Sequence, residues 1–255
     1  MLQTSKEDLL VRKNRRNSNR RSVSKPRTHI RTLHTRVKTI KGRKFSSTRW
    51  LKRQLNDPYV AAAKRHGYRS RSAYKLMQLN DRFHFLKPDM KVIDLGAAPG
   101  GWSQVIAKEI GSDRSSSRAQ LISLDILEME PIPGATVILG DFMNDDALSH
   151  LKATIDGSAD MICSDITPVV TGHSKTDHLR IIAVLEAAYH FSLEVLAPGG
   201  GFVAKVFQGG SEKALLTDMK KGFQSVKHAK PPASRAESSE VYVVAQGFRV
   251  KSSNC

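Results

Sequence analysis

The fold class this 255-residue sequence predicts is a three-layer α/β sandwich with a mostly parallel sheet. Two observations carry that expectation. Short apolar runs alternate with helical patterns from residue 91 onward, the order that builds a parallel sheet. A Gly-rich turn, Gly96 to Gly101, joins one such run to a helix, and open α/β sheets bind ligands at such turns.

The elements follow in order. Asp57-Pro58 starts the structured part as an N-cap followed by proline at the first helical position, and the helix Pro58–His66 stops at Gly67. Ser70 can cap a second helix, with Ala73, Leu76, Met77 and Leu79 on its packing side. Arg69, Arg71 and Lys75 interleave with Tyr68 and Tyr74; the mixture suits a ribose-phosphate strand with unstacked bases, and equally an exposed helix face. Val92, Ile93 and Leu95 make a strand buried on both faces. Asp94 closes it, a carboxylate that can face whatever sits over the turn. Gly96, Gly100 and Gly101 lack a Cβ and let backbone approach a ligand closely. Trp102, Val105, Ile106 and Ile110 then recur at helical spacing.

Gly111–Ala119 reads as a loop, Gln120–Leu124 as a second strand ending at Asp125, and Thr136–Leu139 as a third leading to Gly140-Asp141-Phe142. At the carboxyl ends of parallel strands both carboxylates border the crevice. Asp125 is placed to accept from ribose hydroxyls and Asp141 from an adenine amine; each could instead cap the next helix. Asp160–Cys163 is a fourth strand running into Ser164-Asp165-Ile166-Thr167-Pro168. The loop Val169–Thr176 leads to a long helix from Asp177 that stops at Ala197-Pro198-Gly199-Gly200. Gly201–Phe207 is a fifth strand, with Lys205 set in an apolar run. A lysine there is costly unless it is paired or works at the strand end. Leu215–Phe223 reads as a helix and Ser225–Lys230 as a strand, and Glu240 opens the last strand, Val241–Ala245.

Charge divides the chain. Residues 1–56 hold 18 of its 41 Lys and Arg and 2 of its 24 Asp and Glu, a net +16 of the total +17. That points to a polyanion partner, RNA or DNA; the other reading is a solubilising tail. Residues 1–45 are too polar for a core and are expected to be disordered when free. The expected organisation is therefore a basic RNA-binding extension over 1–56, a catalytic domain over 57–250 and a tail over 251–255. No apolar run of transmembrane length and no signal-peptide core is present, so neither membrane nor export is expected. Cys163 and Cys255 fit no metal-ligand spacing and read as reduced thiols of a cytoplasmic protein. A mitochondrial matrix location is the alternative, from the Arg- and Ser-rich leader, although Glu7 and Asp8 weigh against a presequence.

The turn narrows the cofactor. Its glycines do not fit G-x-G-x-x-G, and no G-x-x-x-x-G-K-[ST] is present, which tells against a dinucleotide or a phosphate cradle. Asp94-Leu-Gly-Ala-Ala-Pro-Gly-Gly-Trp-Ser-Gln104 instead resembles motif I of S-adenosylmethionine-dependent methyltransferases, whose cofactor carries no phosphate and presents a cationic amino-acid end.

Further motifs extend the resemblance over about Trp50 to Phe248: Asn-Asp-Pro-Tyr-Val, Gly-Tyr-Arg-Ser-Arg-Ser-Ala-Tyr-Lys-Leu, Ala-Lys-Val-Phe-Gln-Gly and Ser-Arg-Ala-Glu-Ser-Ser-Glu-Val-Tyr. Together they resemble the FtsJ-type (RrmJ-type, RlmE) ribosomal RNA 2′-O-ribose methyltransferases, and the basic leader resembles bacterial members with such an extension. The resemblance implies a Rossmann-like methyltransferase fold of seven strands with the last antiparallel. It implies a catalytic tetrad at Lys75, Asp165, Lys205 and Glu240, and cofactor contacts at Gly100, Trp102, Asp125, Asp141 and Asp165, which join Asp94 and Gly96 from the turn itself. It also implies S-adenosyl-L-methionine as cofactor, no metal, a monomer, and a uridine in the A loop of large-subunit ribosomal RNA, free or in the assembled subunit, as substrate. One departure is Asp-Ile-Thr-Pro-Val after the fourth strand, where Val169 replaces an Asn able to hydrogen-bond. Lys205 is the candidate to take or stabilise the 2′-hydroxyl proton, and base and electrostatic stabiliser both stay open. A transfer RNA anticodon-loop methyltransferase and a non-catalytic RNA-binding assembly factor are the alternatives. The first usually reads Asp-Leu-Cys-Ala-Ala-Pro-Gly, unlike this chain.

Overall fold

The computed structural model describes residues 45–115, 117–168, 171–207 and 213–250. The expectations for the leader up to residue 44, for Val169 and for the tail 251–255 lie outside the described residues. In chain order the strands are β1 (Lys91–Leu95), β2 (Gln120–Asp125), β3 (Thr136–Leu139), β4 (Ala159–Ser164), β5 (Leu196–Phe207), β6 (Phe223–Ala229) and β7 (Glu240–Phe248). The helices are α1 (Phe45–Leu55), α2 (Pro58–Arg65), α3 (Ser72–Phe83), α4 (Gly101–Ile110), α5 (Asp145–Thr154), α6 (Ser174–Val195) and α7 (Lys213–Gly222).

The strands form one sheet in the order β3-β2-β1-β4-β5-β7-β6, and β7 runs antiparallel to both its neighbours. Side chains alternate between the faces. Ile93 and Leu95 pack toward Leu151, Leu185, Ala188 and Met219 of α5, α6 and α7. Val92, Met161, Cys163 and Val203 pack toward Leu76, Leu79, Trp102 and Ile106 of α3 and α4. Two layers of helix on one sheet make the expected sandwich. The chain leaves β1 toward β2 and β3, then returns to build outward from β4, so the carboxyl ends of β1 and β4 flank the switch point where such sheets hold ligands.

Asp57 caps α2 as its sequence predicts, accepting from the Tyr59 and Val60 backbone N–H groups, and its other oxygen pairs with Arg71 and Arg235. Such a cap is worth about 0.5–2 kcal/mol. Other boundaries differ from expectation. Residues 45–55, assigned to the disordered extension, form helix α1. Helix α6 starts at Ser174, ahead of Asp177; the Asp177 carboxylate instead accepts from Thr171 N, Thr171 Oγ1 and Gly172 N and ties the loop to the helix. Helix α6 ends at Val195, just ahead of Ala197-Pro198-Gly199-Gly200 as expected, and that stretch is already the irregular start of β5, where the register against β4 shifts between Ala159 and Met161. Helix α5 is mostly polar and buries only Ala147 and Leu151, too faint a stripe to be bounded in advance.

Candidate active site

Four ionisable side chains from four elements meet at the carboxyl edge of the sheet. Lys205 belongs to β5, and alternation turns it, like Val203, toward α3 and α4. Only 5% of its side chain is exposed, and its ammonium donates to the Asp165 backbone carbonyl (2.5 Å) and to Asp165 Oδ1 (3.0 Å), just beyond β4. Lys75 comes from α3 and lies 2.7 and 2.9 Å from the two oxygens of Glu240, the first residue of β7. Because β7 is antiparallel, its beginning, not its end, arrives at this edge.

Tyr242, which sequence reasoning passed over, joins the two ion pairs. It faces Lys205 across the β5–β7 register and shares a face with Glu240 two residues earlier. Its hydroxyl lies 2.8 Å from Asp165 Oδ1 and 3.3 Å from Glu240 Oε1, and Lys75 Nζ sits 5.8 Å from its ring centroid. Ser234, also missed, donates to Glu240 Oε1 at 2.8 Å. The period-2 spacing Glu240-Val241-Tyr242 was the available signal for the tyrosine; for Ser234 there was none, because a loop residue has no period. Burial alone would raise the Asp165 carboxyl, but the Lys205 and Lys75 ammonium groups and the hydrogen bonds from Lys205 and Tyr242 outweigh it and hold it below the usual carboxylate range. Burial and the two neighbouring carboxylates push the Tyr242 phenol well up, so its hydroxyl stays protonated and can donate.

Asp165 also lines a cleft of about 480 Å³ that runs over the ends of β1, β2 and β3. Among the described residues its walls carry three carboxylates, Asp125, Asp141 and Asp165, and no Lys or Arg; Ile126, Leu127 and Met143 add exposed apolar surface. An acceptor set of this kind suits a flat, hydroxylated, cationic ligand and tells against a phosphate. Neither predicted strand-end acid caps a helix. Asp125 accepts from Ala98 N (2.8 Å) and Leu127 N (2.9 Å), and Asp141 from Met143 N (2.9 Å), so each braces its own turn with lone pairs to spare.

Other sequence-predicted residues lie differently. Asp94 does not face the cleft. It shares the Val92 face of β1, has no exposed surface, and accepts from Ser103 Oγ at 2.6 Å while its Oδ1 has no hydrogen-bond partner. Burial, partly offset by the Ser103 hydrogen bond and reinforced by Asp165 and Asp125, raises it to about 7. The Trp102 ring is buried against Tyr242 and donates to Ser72 O, leaving its backbone at the start of α4 as the part able to meet a ligand. Gly96 and Gly100 border the turn, yet the space a Cβ would take is filled by Ile166 at the first and by Ile132 and Arg69 at the second. Close protein packing, rather than ligand approach, already demands glycine there. Arg69 and Arg71 are likewise committed: Arg69 holds the carbonyls of Pro99, Glu130 and Pro131, and Arg71 pairs with Asp57. Tyr74 is buried and bonded to His66, so this stretch is a structural joint and not an open RNA face. Cys163 is a free buried thiol. Among the described residues no helix is long and apolar enough to cross a membrane.

Known proteins resemble this chain. The FtsJ-like methyltransferase family matches residues 68–248. A protein of Paramagnetospirillum magneticum named ribosomal RNA large subunit methyltransferase E is 56% identical over 235 residues, 92% of this chain and 96% of that one. A protein of the same name from Rhodospirillum rubrum is 57% identical, covering 87% of this chain and 84% of its own length. The crystal structure described as that of a ribosomal RNA methyltransferase from Plasmodium falciparum superposes with a TM-score of 0.63 at 31% identity, over 71% of this chain and 98% of that one. With the sheet order, the turn and the paired acids and lysines in place, the chain belongs to the FtsJ-like methyltransferase family.

Proposed function

We propose that this chain transfers a methyl group from S-adenosyl-L-methionine to the ribose 2′-oxygen of a uridine in large-subunit ribosomal RNA, within the A loop, and that it acts in the cytoplasm as a monomer during ribosome assembly. The observation that carries the reading is that Asp165 belongs at once to the phosphate-free cleft and to the Lys75, Lys205, Glu240 and Tyr242 cluster. A methyl donor in the cleft and an acceptor at the cluster meet at that residue. The relatives named as ribosomal RNA large subunit methyltransferase E support the choice of substrate.

The cleft fits the cofactor. Asp125 suits ribose hydroxyls, Asp141 the adenine amine, Ile126, Leu127 and Met143 the ring faces, and the backbone of the turn from Gly96 to Trp102 the amino-acid end. When bound, the sulfonium supplies an already activated methyl group. The chain's part is to align the 2′-oxygen and to handle its proton. Alignment of two held reactants contributes up to about 7–11 kcal/mol. Lys205, fixed on Asp165, is placed to take or stabilise the proton, a role worth about 10²–10⁴-fold. Lys75 is placed to hold the oxygen, and Glu240 fixes Lys75. Tyr242 locks both acids at their separation.

The test is transfer from methyl-labelled cofactor to ribosomal RNA and to assembled large subunits from a strain lacking the gene, with the labelled nucleotide mapped. Label on a uridine 2′-oxygen of the large-subunit RNA is expected. Cofactor binding without label in either substrate would overturn the assignment, and label in transfer RNA alone would move it to the anticodon-loop class.

A further inference from the structure

A basic groove of about 580 Å³ lies between α1 and the loop that precedes β7. Arg49, Lys52 and Arg53 form one wall; they follow the i, i+3, i+4 spacing of a single helix face and are exposed. The rest of the lining carries Ser234, Arg235, Arg71 and two acids, Glu237 and Asp57, the second paired with both arginines. Arg235 is engaged with Asp57, whereas no carboxylate among the described residues pairs with the three cations of α1. The groove adjoins the cluster of Lys75, Lys205, Asp165 and Glu240 through one side chain, since the Ser234 hydroxyl in its lining donates to Glu240. Beside Arg49 stands Trp50, 51% exposed, a large aromatic surface with nothing packed over half of it.

We propose that this groove is an RNA subsite, which holds the phosphodiester backbone of the substrate strand next to the nucleotide under attack, with Trp50 stacking on an unpaired base. The proposal rests on the function proposed above and adds to it the path of the strand. Three cations without a carboxylate partner among the described residues suit consecutive phosphates, and an aromatic on the adjacent face of the same helix adds the stacking surface that single-stranded RNA uses. An acidic polypeptide would meet the charge, but it gives no use for the tryptophan or for the connection to Glu240. Helix α1 therefore brings part of the extension's positive charge to the site.

The test compares two double variants of the full chain with wild type, measuring affinity for ribosomal RNA against salt concentration. K52A/R53A empties the groove wall. K87A/K108A removes the same charge from exposed residues at the opposite, amino-terminal edge of the sheet, before β1 and in the last turn of α4. K52A/R53A is expected to weaken RNA binding about tenfold and to flatten the log–log slope by about 1.4, or roughly 0.7 for each lost single-strand contact. Its cofactor affinity should stay at the wild-type value, and K87A/K108A should keep the wild-type slope. RNA should also shield Trp50 from a soluble quencher; the second tryptophan, Trp102, is only 2% exposed and contributes little to that signal. Equal slopes for the two variants would overturn the proposal. So would polyglutamate that displaces RNA from wild type and itself loses affinity for K52A/R53A, which would make the groove an acidic-protein site. Failure of wild type to methylate any RNA strikes the function above, and the slope comparison still decides the groove.

Discussion

Replacing Tyr242 by Phe removes one oxygen atom from the centre of the cluster and leaves the ring packed against Trp102. The lost group is a buried hydroxyl 2.8 Å from an ionised carboxylate, and hydrogen bonds to charged groups contribute about 1.5–3 kcal/mol. Asp165 keeps Lys205, and Glu240 keeps Lys75 and Ser234, so neither acid is left alone. Stability should therefore fall by the lower end of that range, about 1.5–2 kcal/mol. What disappears is the only atom that touches both acids among the described residues. If positioning costs about 1.4–2.7 kcal/mol at the transition state, single-turnover transfer slows about 10- to 100-fold. Cofactor affinity should hold within a few-fold, since the ring lies outside the cleft walls. The assay is single-turnover transfer to ribosomal RNA beside cofactor calorimetry and urea unfolding on the same protein. Transfer within twofold of wild type would refute the idea that the hydroxyl sets the cluster's geometry. Loss of cofactor binding together with transfer would place Tyr242 in the support of the pocket instead.

Lys205→Ala should abolish most transfer, by about 10²-fold or more, while cofactor affinity stays within a few-fold, and Lys205→Arg should fail too because a guanidinium has a different shape and cannot act as a base; near-normal turnover in either variant would move the proton-handling role elsewhere. Asp141→Ala should weaken cofactor binding by about 1–3 kcal/mol with the fold intact, since the carboxylate is exposed and braces only Met143 N; unchanged calorimetric affinity would remove it from the site. Asp94, raised from 3.8 to about 7, binds its proton more tightly folded than unfolded, so its contribution to stability is full below about pH 4 and is lost as pH rises through 7. Asp94→Asn should flatten that slope by up to a few kcal/mol in unfolding measured at several pH values between 4 and 8; Asp165, shifted the other way, acts only at more acidic pH, and an unaltered profile would show that Asp94 does not titrate there.

The legible parts of this site were those with a local signature. Lys205 stood out because an ammonium in Phe-Val-Ala-Lys-Val-Phe breaks the apolar pattern of its own strand, and Asp125 and Asp141 because they follow strands directly. What could not be read depended on distant register. Asp94 looks like a strand-end acid, but the phase of β1 relative to α4 turns it inward to Ser103. Tyr242 looks like one more aromatic of a buried strand until β7 is set beside β5 with Lys205 opposite it. Arg71 looks like an RNA contact until Asp57 is found across the α2–α3 joint. Helix α1 was missed for another reason: its basic, mostly exposed residues share the composition of the leader before it, and its apolar face is short, with Leu51 and Leu55 one turn apart.

The placement of β7 has a consequence for how the chain becomes active. This strand, last in sequence, does not join the rim of the sheet but enters between β5 and β6, both made earlier. Glu240 and Tyr242 travel with it, and Lys75 waits for a partner 165 residues away. A nascent chain can therefore complete β1 to β4 and their helices without owning a working centre, and a premature β5–β6 pairing would close the slot that β7 needs. Long-range closures of this kind are slow to form. The assembled cluster thus waits for β7, which is made after the other six described strands of the sheet.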